Sequence, residues 1–597
     1  MILCLKYLKL NLTILEANMN KIGGKNKLLF FIKKHYLGLI LAVLFGLFSV
    51  GPQLLFLQRA GSDFKGIYGE FNGDALYYLS RVQEVIDGYP ATNNSYLLEH
   101  KNDVYAQTSA PEILEAFLCR IFDLSPAQMQ VRLDFILPLL LFFLTYLLFN
   151  KFSRSRAISA LLTVLFFFIT LGPLDKPINP QINLFFLLGF LYLFYNFINR
   201  KNKVLWSLTA GIVLGLLINI YFYHWTFLFL FGGLYFLIKL AQKEYTEFKY
   251  LPFFLLPALI IGIPYFLLVH SSMASPLYSQ VSVRVGMYFT HGVESYPRTL
   301  VGLIWVVLFL VFSFKFKIFK DKQWPFFFAL ILGNVIYPNQ QIITGRVLQL
   351  ALHWSWMPIF IFCITTAYFY QVLRFKKTSK KDYRLILLII LVFLLAPVLR
   401  LTSFTYSSII GKFKNVEYLE YQKYGQAIKW LNEKSRKDEV VYANIKLSHL
   451  LPVYTHNNVL FDKYIFNLPA SDQEVVERFL VFNWLNPNIL QDKNFGLKEG
   501  EQLLWNFAHG AEQNVHRLHR VFGIKYVEQY SIAKEAEFIN QVYQEIKDDD
   551  FIDLLKKFHV SYMIWDEKID SHWRLDKIKG LEKIKEENNI SIWKINI

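Results

Sequence analysis

Cysteine is close to absent from this chain. Its three thiols, Cys4, Cys119 and Cys363, are too few and too scattered for a disulfide framework or a structural zinc site, so neither redox chemistry nor a metal-stapled fold is indicated. Charge is also scarce, at 18% of residues, and the usual short signatures are missing: no P-loop, no dinucleotide fingerprint, no HExxH pair, no nucleophile elbow. No internal repeat or low-complexity tract stands out. The remainder rules out an ordinary soluble protein, because 54% of the 597 residues are hydrophobic, 17% are aromatic and the mean hydropathy is +0.31.

The chain reads as a polytopic α-helical membrane protein. A span needs about 20 apolar residues to cross the hydrocarbon core, and windows that meet or approach this are 36–57, 133–150, 157–172, 181–198, 204–221, 223–240, 251–269, 299–314, 324–338, 347–371 and 385–403, eleven in all. Met1 to Leu15 is mildly apolar but lacks the h-region and cleavage site of a secretory signal. The formal charge of +17 does not point to nucleic acid, because Lys and Arg sit in short runs between apolar windows. With the N-terminus cytoplasmic, those runs alternate to one side: Lys151, Arg154 and Arg156, then Arg200, Lys201 and Lys203, then Lys243 and Lys249, then Lys315 to Lys322, then Arg374 to Arg384. The expected organisation is a cytoplasmic tail over 1–35, a membrane domain over 36–403 with an outer loop over 58–132, and an extracytoplasmic α/β domain over 404–597. The setting is a plasma (inner) membrane.

The outer loop predicts two helices, one opening near Asp74 and one at Ser109-Ala-Pro111-Glu112, where Pro and an acid suit a first turn. In the second, Ile113, Leu114, Phe117, Leu118 and Ile121 recur at helical spacing, so this helix is expected to lie along the membrane surface. In the C-terminal region Tyr424 to Glu433 reads as an amphipathic helix. Glu439–Ala443, Phe522–Val527, Val560–Trp565 and Ile590–Ile595 read as strands.

Polar chemistry at a membrane edge needs ionisable groups there, and few are available. Glu70 and Asp74 form an acidic pair just after the first span. Asp74, at the positive end of a helix, would stay ionised and could accept a proton from an attacking hydroxyl or amide, or ligate a divalent cation. Arg81 lies two turns along on roughly the same face. The plain alternative is that Asp74 is only a helix cap and Glu70 a solvated loop acid. Asp175 lies in a turn stiffened by prolines, Gly172-Pro-Leu-Asp175-Lys176-Pro, where it either joins a metal site or pairs with Lys176 beside it. Arg346, Gln349 and His353 would share one narrow sector of a tenth span, a polar stripe suited to a phosphate leaving group. The alternative there is an interfacial Arg that snorkels and a His bonded to a neighbour. His224 sits in an aromatic run, Tyr221-Phe-Tyr223-His224-Trp225, typical of an interface belt. His291 and Glu294 lie in a loop mobile enough to close over a substrate.

In layout the sequence resembles the GT-C superfamily of membrane glycosyltransferases, including the oligosaccharyltransferase catalytic subunit and related bacterial enzymes. The resemblance covers the membrane part. It rests on an acid in a long first outer loop (Asp74), an acid in a second outer turn (Asp175), a loop acid (Glu294) and an arginine at the outer end of a late span (Arg346). It implies a polyprenyl-phosphate- or polyprenyl-diphosphate-linked sugar donor. The acids themselves suggest a divalent cation such as Mg or Mn, with Asp74 and Asp175 among its ligands, and no other cofactor. The C-terminal region has no WWDYG-like motif and the second turn has no neighbouring acid, so transfer to asparagine is not implied and the acceptor stays open among glycan, lipid and protein. The expected activity is transfer of a sugar to an extracytoplasmic acceptor, with Asp74, helped by Glu70 or Asp175, as base or metal ligand. Arg346 and His353, with Gln349, Arg81, Glu294 and His224, would bind substrate and phosphate. Two other classes fit the composition: a transporter or flippase of a lipid-linked saccharide, and a non-catalytic envelope-assembly protein.

Overall fold

The computed structural model describes residues 24–69, 73–171, 174, 176, 178, 180–293, 295–349, 353–354, 356–375, 409–498 and 500–596. Among these, seven helices are long and apolar enough to cross a membrane: Leu29–Asp63, Pro126–Ser153, Gln181–Asn199, Phe222–Ala241, Phe248–Met273, Tyr296–Phe316 and Met357–Phe375. Runs of Leu, Ile and Phe become helices here because a helix pairs its own backbone groups and so needs no water. Their packed sides form one core rich in phenylalanine, in which Phe45, Phe142, Phe167, Phe194, Phe327 and Phe360 are buried.

Three predicted windows hold shorter helices instead: Arg156–Phe168, Lys203–Ile218 and Trp324–Ile336. The last has 13 residues and rises only about 20 Å, less than the roughly 30 Å of hydrocarbon, before the chain tightens into a 3-10 turn at Tyr337–Asn339 and goes on as Gln341–Thr344. The window 385–403 lies outside the described residues. Lys203–Ile218 packs closely on Phe248–Met273 through small residues. A Cβ on Gly211 would stand 2.5 Å from the Phe254 carbonyl oxygen, and one on Gly215 would stand 2.7 Å from Ile261 Cβ. Such close backbone approach is how apolar helices gain contact where no water drives them together.

The expected helix over 347–371 is corrected. The chain leaves Gln341–Thr344 through Gly345 at φ +71°, pairs Arg346 with Phe289 in an isolated bridge, and bends at Gln349, φ +55°, before the span starts at Met357. Arg346, Gln349 and His353 therefore do not form a helical stripe. The backbone bonds of 345–347 run to another segment: Thr290 N–H donates to Gly345 O at 2.8 Å and Val347 N–H donates to Tyr288 O at 2.8 Å.

The C-terminal α/β region holds five strands, β1 (Val440–Ala443), β2 (Asn458–Val459), β3 (Val560–Asp566), β4 (Leu581–Glu587) and β5 (Ile590–Ile595), in the order β2-β1-β3-β5-β4. β1 lies parallel to β2 and β3, while β5 runs antiparallel to β3 and β4. The central strands are apolar on both faces, as a helix-covered sheet requires. The predicted strand at Phe522–Val527 is a second correction: this run joins no strand and is exposed.

The first polar loop is built into this region. Ile67, Leu76, Tyr77, Leu79, Tyr96 and Leu97 share its hydrophobic core, and Val459 N–H donates to Tyr96 O at 3.0 Å. The two predicted loop helices are present as Ala75–Ile86 and Ala110–Phe122. The second turns Ile113, Leu114, Phe117 and Ile121 outward while burying Glu112 and Glu115, an inverted face that suits a helix resting on lipid.

Candidate functional site

Asp74 occupies the N-cap position of Ala75–Ile86 but makes no side-chain cap bond; its carboxylate pairs instead with Lys176. Lys176 thus reaches across to the first loop, and its ammonium also lies 5.7 Å from the Tyr78 ring centre. His353 joins from a third part of the chain. Its Nδ1 is 3.0 Å from the Tyr221 hydroxyl, its ring stacks on Tyr223 at 3.9 Å, and the charges of Lys176 and Asp74 both act on it. From the C-terminal region, the Tyr464 ring sits 5.5 Å from that of Tyr77, and its hydroxyl is pushed up by burial and by the nearby charges of Asp74 and Asp462. Asp74 is half exposed while the groups around it are largely buried.

A second group centres on Arg346. One terminal nitrogen donates to the Tyr278 hydroxyl at 3.0 Å, and the guanidinium lies 5.7 Å from the Tyr278 ring and 5.8 Å from the Phe289 ring. His291 rests on the same turn, its Nδ1 3.0 Å from Ile342 O. Beyond Arg346, the Gln349 side-chain amide lies against Gly286. The loop is tied to the C-terminal region by Arg284, which is fully buried, donates to Asp472 at 2.9 Å and donates to the carbonyls of Leu468 and Ala470.

Two predicted ligand-binding residues are used otherwise. Arg81 is fully buried and its guanidinium is engaged on all sides: Nε donates to Glu112 at 2.6 Å, and the two terminal nitrogens donate to the carbonyls of Thr92 and Thr108 at 3.0 and 2.9 Å. It braces the first loop rather than offering its charge to a phosphate. His224 is also fully buried, its ring packed against Tyr221 and Trp356 at 4.8 and 5.6 Å. Glu70, Asp175 and Glu294 lie outside the described residues.

Sequence reasoning missed Tyr78, Tyr221 and Tyr464 as neighbours of the site and offered Lys176 only as an alternative partner of Asp175; tertiary contact shows that Lys176 meets Asp74. It also passed over Glu115. Neither carboxyl oxygen of Glu115 has a hydrogen-bond partner among the described residues, and burial, reinforced by Glu112 and Asp134, pushes it up to about 8. An acid whose folded value is raised lends stability that is complete below its unfolded value near 4.3. That stability is lost as pH climbs toward 8, on the order of a few kcal/mol in total. Glu115→Gln should therefore melt like wild type at pH 5 and at a higher temperature than wild type at pH 9. Equal losses in both proteins between those pH values would show that Glu115 is not held neutral.

At Asp74 the described residues do not complete a divalent-ion site, since the one carboxylate already faces an ammonium. The described residues hold one group of three side chains close enough to share an ion: His509, Glu512 and Glu528, with ligand atoms within 4.8 Å of one another in the C-terminal region.

No family model and no curated relative matches the chain. The chain is similar to an archaeal oligosaccharyltransferase. One match is the Archaeoglobus fulgidus enzyme tethered to an acceptor peptide containing the NVT sequon, at 12% identity and TM-score 0.43 over 90% of this chain and 70% of that one. Another is AglB from the same organism in complex with an inhibitory peptide and a dolichol-phosphate, at 12% identity and TM-score 0.44 with the same coverage. The A. fulgidus enzyme complexed with Zn and sulfate matches at 13% identity and TM-score 0.42 over 89% and 68%.

Proposed function

We propose that this chain is a membrane glycosyltransferase that moves a sugar from a polyprenyl-phosphate-linked donor to an acceptor on the outer side of the plasma membrane. One observation carries this reading. Asp74, Lys176 and His353, from three distant stretches of sequence, meet at the polar end of an apolar bundle under a tyrosine-rich cover. An anion opposed by the Lys176 ammonium beside an aromatic wall suits displacement at a sugar carbon with loss of phosphate. Asp74 takes the proton of the acceptor's O–H or N–H as the new bond to the anomeric carbon forms. The bond from that carbon to the phosphate oxygen breaks, and its electron pair leaves on the phosphate. Lys176 and Arg346 oppose the charge that develops there, and the His353 ring, held by Tyr221 and Tyr223, frames the sugar. Asp175 and Glu294 remain the proposed partners of Asp74 should a divalent ion bind; such an ion would have to displace Lys176.

The test is transfer from a radiolabelled polyprenyl-phosphate sugar by the full chain in lipid nanodiscs. Wild type should release polyprenyl phosphate and label an acceptor. Arg346→Ala should raise the KM for the donor, with a loss in kcat/KM of about 10–100-fold, the range of one charge-assisted contact. Movement of the intact donor across vesicles without cleavage would sink the transferase reading and assign a flippase.

A further inference from the structure

The segment Val515–Val527 combines apolar exposure with one-signed charge in a way nothing in the proposed chemistry uses. Val521, Phe522, Ile524 and Val527 are 69, 72, 55 and 82% exposed, among the most exposed apolar side chains of the C-terminal region. Leaving four such groups together in water is costly, and contiguous patches of this kind mark a contact surface. Gly523, at φ +66°, turns the chain so that Phe522 and Ile524 flank a tip. Between Glu512 and Glu528 there is no acid, while Arg517, Arg520 and Lys525 are basic and His516 and His519 stand with Nδ1 atoms 3.2 Å apart.

The surroundings say what meets this tip. The helix Asn506–Val515 that leads into it packs on the loop over the membrane bundle: a Cβ on Gly292 would collide with Val515, and one on Gly286 would stand 3.0 Å from Phe507 Cβ. Four residues beyond Gly292, at Tyr296, begins a helix suited to cross the membrane, with Leu300 and Val301 exposed on its first turns. Four residues reach at most about 14 Å, so the Gly292 contact of Val515 lies no more than about that far along the chain from the start of this helix.

We propose that Val515–Val527 is a monotopic membrane contact, in which Val521, Phe522, Ile524 and Val527 enter the acyl boundary of the outer leaflet and Arg517, Arg520 and Lys525 meet the phosphates of anionic lipids. It would pin the C-terminal region beside the loop that pairs with Arg346. The claim concerns lipid contact and stands whether or not the chain transfers sugars.

The experiment places a solvent-sensitive fluorophore at Phe522→Cys or Val527→Cys in the full chain, with labelled wild type as blank and Glu582→Cys on exposed β4 as control. Nanodiscs contain phosphatidylcholine with or without phosphatidylglycerol. Lipid carrying a nitroxide high on its acyl chain should quench positions 522 and 527 at least fivefold more than position 582, and aqueous iodide should do the reverse. Anionic lipid should deepen the quenching, and high salt should reduce that increment. Iodide quenching at all three positions, with none from lipid, would overturn the proposal. So would quenching at 522 that appears only when polyprenyl phosphate is added, which would assign the tip to substrate.

Discussion

Asp74→Asn is expected to lower sugar transfer by about 10²–10⁴-fold, the usual contribution of a positioned proton acceptor, while leaving the protein folded. Asparagine keeps the shape and removes the charge, so Lys176 would face a neutral amide. Stability should barely change, because Asp74 makes no cap bond with Ala75–Ile86 and is half exposed. The measurement is single-turnover release of polyprenyl phosphate, run beside size-exclusion chromatography and thermal melting in the same nanodiscs. Wild-type rates in a folded Asp74→Asn protein would remove the base from the mechanism. A lost rate with a lost melting transition would instead move Asp74 to a purely structural role.

Arg81→Ala should destabilise the first loop by about 3–5 kcal/mol, the cost of stranding one member of a buried ion pair. The Glu112 carboxylate would be left buried, with its other oxygen already unpartnered and the neutral Glu115 one turn away. Arg81→Lys should not restore stability, since one ammonium cannot serve Glu112 and two carbonyls that lie in different directions. Removing Glu112 as well should recover part of the loss, because no buried charge then remains unpaired. Thermal melting of the four proteins, with limited proteolysis of the 88–109 segment, reads this directly. A melting temperature in Arg81→Ala within a degree or two of wild type would return the arginine to the ligand-binding candidates.

The contrast between Arg81 and Asp74 shows what sequence spacing can and cannot resolve. Both sit on one short helix at spacings that suit a shared face, and both types are scarce in this chain. Burial separates them: the guanidinium is sealed against Glu112 of the Ala110–Phe122 helix, and the carboxylate is half exposed beside Lys176. The same limit explains the stripe expected at Arg346, Gln349 and His353. An apolar run with polar residues at helical intervals predicts a helix, but the Gly345 turn and the backbone pairing with 288–290 outcompete helical bonds there. Phe522–Val527 failed for a related reason. Alternation of apolar residues reports that a surface is to be covered, and a strand partner is only one possible cover.

The long apolar helices and the Ser109-Ala-Pro helix start were legible from residue order because they depend on local chemistry: about twenty apolar residues suit lipid, and a first turn needs a cap or a proline. The strands at Val440–Ala443, Val560–Asp566 and Ile590–Ile595 were legible for the same reason. Which charges face one another was not, since Lys176 lies 102 positions from Asp74 and His100 lies 374 from Glu474. Pairings at that range are chosen by how whole helices and the sheet pack. That packing made Asp74 a half-open carboxylate beside a lysine and Arg81 a sealed brace.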